Sequence, residues 1–104
     1  MAEKSGEQQW EAELYRLQGE LLLQQTVPDA QQAEACFGQA LATARRQQAK
    51  SLELRAAMSL ARLWQRQGKR ADACRMLAAV YAWFTEGFDT ADLQEAKALL
   101  DALT

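Results

Sequence analysis

Histidine, asparagine and isoleucine are missing from this chain, proline occurs once and cysteine twice. The absence of histidine removes the commonest metal ligand and the usual general base. Two cysteines, Cys36 and Cys74, cannot close a four-thiolate zinc site, and small domains that depend on disulfides carry more of them. Both thiols read as small buried hydrophobes in a reducing cytosol, and neither is assigned a reactive role, although Arg75 adjoins Cys74. Valine and threonine together number seven, too few for a β-sandwich, a barrel or a doubly wound sheet. No apolar run approaches the roughly 20 residues that span a bilayer, so no membrane partner is expected. Met1-Ala2-Glu3-Lys4-Ser5-Gly6 has no apolar core behind a basic start and does not read as a secretory signal. The expected location is therefore cytoplasmic. These absences together predict a protein that is not an enzyme and holds no metal or cofactor.

What remains is rich in helix formers. Of 104 residues, 21 are Ala, 15 Leu and 13 Gln, at a formal charge of −2. That length is one domain. Residues 1–6 are polar and aperiodic and read as a disordered N-terminal segment. From Glu7 the apolar residues Trp10, Leu14, Leu17, Leu21 and Leu22 recur at three- and four-residue steps and build one helical face. Pro28 ends that helix, and Asp29 is a good N-cap for the next, with Ala33, Phe37, Ala40, Leu41 and Ala44 inward. No glycine terminates this second helix near Gln48. Ser51 can cap a third, whose Leu54, Ala57, Leu60, Ala61, Leu63 and Trp64 cover enough of its circumference to predict burial between two layers. Gly68 ends it. A fourth helix buries Ala73, Leu77, Val80, Tyr81 and Phe84 and breaks at Gly87. A fifth, begun by Asp89 and Thr90 with Asp92 in its first turn, carries Leu93, Ala96, Leu100 and Leu103 on one stripe. The predicted helices are 7–26, 29–48, 51–67, 70–86 and 90–103.

The two hairpins resemble each other. Ala33-x3-Phe37-x2-Ala40 returns as Ala73-x3-Leu77-x2-Val80, a shift of 40 residues. Tyr15-x2-Gln18-Gly19-x2-Leu22 returns as Ala57-x2-Leu60-Ala61-x2-Trp64, a shift of 42, the loop at Pro28 absorbing the difference. A small residue mid-helix lets the paired helix approach, and bulky residues beside it fill the gap. That is the physical content of the tetratricopeptide pattern, and the chain resembles such repeats of the long variety, with a period of about 40 rather than the usual 34 residues. Gln18 stands where the pattern has Leu, and neither repeat closes with Pro. The resemblance implies an all-α fold of antiparallel helical hairpins stacked as a short right-handed solenoid. Repeat one is 7–48, repeat two 51–86, and 90–103 is a C-terminal capping helix, all within one domain of residues 7–104.

Residues 50–103 carry a further resemblance. It lies in the run from Ser51 to Leu63, in Gln67-Gly68-Lys69-Arg70, in Tyr81-Ala82-Trp83-Phe84-Thr85-Glu86-Gly87-Phe88-Asp89-Thr90 and in Asp92-Leu93-Gln94-Glu95-Ala96-Lys97. These resemble the C-terminal tail of large bacterial signalling proteins that join an adenylate/guanylate cyclase-type or other regulatory head to a predicted ATPase domain. The chain itself has no Gly-rich phosphate loop and no paired metal-binding Asp. The resemblance therefore implies the role of the tail alone, a scaffold for protein–protein interaction.

Charge is segregated along the chain. Residues 1–44 hold two basic and seven acidic groups, residues 45–75 nine and two, and residues 76–104 one and five. The simplest consequence is complementation between stacked hairpins, and the sharper one is a positive surface for an acidic partner. Nucleic acid is not expected, because no exposed aromatics interleave the basic residues. Arg55, Arg62 and Arg66, with Met58 and Gln65 beside them, lie along the first helix of repeat two. In tetratricopeptide arrays the first helices line the concave groove. Aligning the repeats adds Glu13, Arg16, Glu20, Leu23 and Gln24 from repeat one. Guanidinium groups bind carboxylates in two-pronged fashion, so the expected ligand is an acidic or C-terminal peptide. The competing expectations are pairing of Arg62 or Arg66 with Glu20 and self-association into a homo-oligomer. Of the clustered aromatics, Tyr81, Phe84 and Phe88 share a face and read as core, whereas Trp83 reads as an exposed contact. Glu11 with Glu13, and Asp89 with Asp92, read as helix-surface or capping carboxylates, since no nucleophile or base accompanies them.

Overall fold

Helix formers dominate every segment, and the chain follows them. The computed structural model describes residues 2–82 and 91–103, with the backbone alone described for 2–10, 91 and 92. It contains α1 (Ala2–Leu23), α2 (Ala30–Arg46), α3 (Lys50–Arg66), α4 (Arg70–Tyr81) and α5 (Ala91–Leu103), and no strand among the described residues. The fold is all-α. The roles expected for Trp83, Phe84, Gly87, Phe88, Asp89 and Thr90, and the expected end of α4 at 86, lie outside the described residues, as does the side chain of Asp92.

Local chemistry sets the helix ends. The Asp29 carboxylate accepts a hydrogen bond from the Gln32 backbone N–H at 3.0 Å, the expected N-cap of α2. Helix α2 ends without glycine by placing Gln48 at φ 57°. The Ala49 N–H then donates to the Ala44 carbonyl at 2.9 Å and the Gln48 N–H to that of Arg45 at 3.1 Å. Helix α3 ends in the same way on Gly68, at φ 82°, with Lys69 N–H donating to the Trp64 carbonyl at 2.8 Å. Both are Schellman turns, which satisfy carbonyls that the last helical turn leaves bare. Two boundaries differ from expectation. Ser51 does not cap α3, which begins one turn position earlier behind Ala49 with no side-chain cap. The tight turn at Gln48 brings the chain round before Ser51 is reached. Helix α1 runs back to Ala2 rather than starting at Glu7, because Ala2, Glu3 and Lys4 are themselves good helix formers.

Packing follows the apolar faces. The Asp29 N–H donates to the Leu22 carbonyl across the connection, and further back Gly19 lies against Phe37, so α1 and α2 run antiparallel. Each helix packs on the next, and α1 also touches α3, as α3 touches α5. Helix α3 thus contacts all four others, which accounts for its wide apolar surface. The molecule measures 44 × 37 × 19 Å, a slab two helix layers thick. One core cluster joins Leu54, Ala57 and Ala61 of α3 to Ala73, Leu77 and Val80 of α4, and to Leu93 and Ala96 of α5. A second joins Ala33 and Phe37 of α2 to Leu60 and Leu63 of α3. Trp64 and Met76 touch both.

The inward face of α1 is not the leucine stripe. Ala12 and Gly19 are buried and Tyr15, Leu22 and Leu23 half-buried, while Leu14, Leu17 and Leu21 are exposed. Helix α1 is apolar on two sides, and α2 covers only the side bearing its small residues, where two backbones can approach. On α5, Leu99 rather than Leu100 completes the buried stripe, and Leu100 packs at the edge of the core with Tyr81. Cys36 and Cys74 are free thiols, half-buried rather than enclosed.

Candidate interaction surface

The charged face expected to form a groove comes from α1 and α3, with α5 beside α3. On α1, Glu13 and Arg16 are one helical turn apart and meet in a two-pronged pair, Nη2 to Oε2 at 2.6 Å and Nε to Oε1 at 3.0 Å. Glu13 is buried, and Arg55 of α3 approaches its Oε2 at 3.9 Å, so a carboxylate removed from water faces two guanidinium groups. Ser59 of α3, also buried, donates from Oγ to Glu20 Oε2 at 2.9 Å and accepts from Arg16 Nη1 at 3.4 Å. Arg16 Nη1 lies 3.6 Å from Glu20 Oε2. This ring of polar contacts ties α1 to α3. Arg62 continues it to α5, donating to Glu95 Oε2 at 2.7 Å.

The structure places the expected groove residues as follows. Arg16, Glu20 and Arg55 converge in the α1–α3 network, together with Glu13. Arg62 pairs with Glu95, whereas Glu20 turns to Ser59 and Arg16. Gln65 is half-buried, Gln24 and Arg66 are exposed, and Leu23 packs on the cluster of Ala33 and Phe37. Met58 does not line any surface. It is 3% exposed and belongs to the core, because α3 is covered on that side by its neighbours. Arg66 has no ion pair among the described residues.

Two participants were not singled out from the sequence. Ser59 is a polar residue among apolar ones on the covered side of α3, which is the kind of position that calls for a buried partner. Glu95 follows from the acidic third segment facing the basic second. A second polar feature lies at the α2–α3 turn, an open hollow of about 690 Å³ lined by Arg45, Gln48, Lys50 and Glu53. Arg45 Nε donates to Glu53 Oε2 there at 2.9 Å. Among the described residues no group of three Cys, Asp or Glu could hold a metal ion, and no helix is long and apolar enough to cross a membrane. Comparison with family models, curated proteins and solved structures finds no match to this chain.

Proposed function

We propose that this chain is a protein–protein interaction module of the tetratricopeptide kind, two long repeats and a capping helix stacked as a short right-handed solenoid. Its role is that of a cytoplasmic scaffold tail in a larger bacterial signalling protein, with no catalysis of its own. The observation that carries this reading is the alternation of contacts. Helices α1, α3 and α5 touch one another in sequence, and α2 and α4 each bridge consecutive members of that set. A repeating hairpin array requires this pattern. The small residues Gly19 and Ala61, 42 residues apart and both buried, support it.

The proposed ligand is an acidic peptide segment lying across α1, α3 and α5. Arg66 would receive a carboxylate directly. Arg62, one turn away, would exchange the exposed Glu95 for a partner carboxylate at little cost, since an ion pair exposed at both ends contributes only about 0–1 kcal/mol. Binding of a fluorescent Glu-rich peptide should therefore be salt-sensitive, and the Arg62→Ala/Arg66→Ala chain should lose that sensitivity and bind roughly tenfold or more weakly with its melting temperature little changed. Equal affinity and equal salt dependence in the two chains would rule out this groove.

A further inference from the structure

Leu14, Leu17 and Leu21 of α1 are 59, 44 and 63% exposed. They fall at i, i+3 and i+7 and form one strip along the helix. The 42-residue correspondence between α1 and α3 relates this strip to a covered one. It maps Leu14 onto Ala56, Leu17 onto Ser59 and Leu21 onto Leu63, with exposures of 1, 3 and 3%. Helices α1 and α2 provide that cover. Leu63 shares a core cluster with Ala33 and Phe37 of α2, and Ser59 bonds to Glu20 of α1. The leucines of α1 are a stacking face of the same kind, on which none of the described residues lays a hairpin.

We propose that this face pairs with the same face of a second copy, the two α1 helices running antiparallel about a twofold axis near Leu17. Burying leucines requires an apolar surface opposite. Among the described residues the large exposed apolar side chains are Leu14, Leu17, Leu21 and Val27, all on α1 or the connection after it. At the far end of the chain α5 turns Leu93, Ala96 and Leu99 inward and leaves Gln94, Glu95 and Lys97 exposed. Head-to-tail stacking would set leucine against charge, whereas face-to-same-face pairing sets leucine against leucine.

Charge selects the direction. Glu11 and Gln24 are exposed at opposite ends of the strip. Parallel helices would place Glu11 against Glu11 of the partner subunit. Antiparallel helices with Leu14 opposite Leu21 of the partner subunit place Glu11 against Gln24 of the partner subunit, a carboxylate against an amide donor. Area sets the strength. The three leucines expose on the order of 300 Å² of apolar surface, the low end of the largest patch found on a typical monomer. A standard interface buries about 800 Å² per partner, so this pairing is a concentration-dependent dimer and not a permanent one. It uses none of the groove arginines and does not depend on peptide binding.

Sedimentation of the full chain over a rising concentration series tests the proposal. The expected result is monomer passing to dimer, with nothing larger. Leu17→Glu puts two carboxylates at the axis on an exposed site, so it should weaken dimerisation roughly tenfold or more while circular dichroism and melting temperature stay unchanged. For the direction, Leu14→Lys/Leu21→Glu sets opposite charges across the antiparallel pair and should associate more tightly than Leu14→Glu/Leu21→Glu, which sets like charges. A chain that stays monomeric to its solubility limit, one that assembles beyond dimers, or a dimer indifferent to Leu17→Glu overturns the pairing. Equal association of the two double variants overturns the antiparallel arrangement.

Discussion

A methyl group added at Gly19 would lie 2.5 Å from Cε1 and 2.8 Å from Cδ1 of the fully buried Phe37 ring. The ring is packed in a cluster with Ala33, Leu60 and Leu63, so Gly19→Ala should destabilise the protein by about 1–3 kcal/mol, although alanine is the better helix former. Gly38 is the internal control. It lies mid-helix in α2, exposed, with nothing within 4 Å of the added carbon, so Gly38→Ala should stabilise by about 0.5–1 kcal/mol. Urea midpoints moving in opposite directions for the two variants would separate close packing from propensity. Gln48 offers a third residue-scale test. It holds φ 57° where α3 uses Gly68, so Gln48→Gly should raise stability by about 1 kcal/mol by removing a left-handed cost that only glycine avoids. Helical patterning gives no sign that Gln48 must turn left-handed. That demand comes from α3 packing back on α2.

Among the elements, α1 and α3 have the same kind of sequence and different surroundings. Most of α3 was legible. Leu54, Ala57, Leu60, Ala61 and Leu63 are buried as their spacing predicts, because helices lie on several of its sides. The apolar stripe of α1 was legible as a stripe, but its direction was not. Periodicity reports that a helix has an apolar face and says nothing about which of two faces finds a neighbour. The aligned repeats contained the answer, since Tyr15, Gly19 and Leu22 match the α3 positions Ala57, Ala61 and Trp64. Ala61 of α3 and Ala73 of α4 are both fully buried in the core shared by the two helices. Ala61→Leu should overpack it by about 1–3 kcal/mol, and an unchanged thermal midpoint would deny a close helix approach there.

At the scale of the molecule, α5 closes the core. Leu93, Ala96, Leu99 and Leu103 cover the side of α3 and α4 that carries Leu54 and Val80. Polar contacts from α3 and α4 help hold α5 in place, Arg62 to Glu95 and Arg70 Nη2 donating to the Ala102 carbonyl at 2.8 Å. The second satisfies a bare carbonyl of the last α5 turn with a cation, as the helix dipole favours. Removing residues 91–104 should expose that apolar side and yield a chain that binds hydrophobic dyes and aggregates on warming. A truncated chain with the parent's melting curve would show α5 to be dispensable. The segregation of charge also resolves at this scale. The acidic first and third segments meet the basic second through Glu13–Arg55 and Glu95–Arg62, so part of the positive surface is neutralised within the molecule.

The sequence by itself determined that the chain is helical, where four of the five helices begin to within a residue or so, and which alanines and leucines of α2 to α4 are core. These follow from residue spacing, capping chemistry and side-chain volume, all of which act over a few residues. The tertiary structure alone decided the rest. It left the leucines of α1 exposed, enclosed Met58, and directed Arg62 to Glu95 and Glu20 to Ser59. An exposed site and a buried one can carry the same residue at the same helical angle. What distinguishes them is a neighbour brought up from 33 to 39 residues away, as in the pairs Arg62–Glu95 and Ser59–Glu20, and no local pattern encodes that distance.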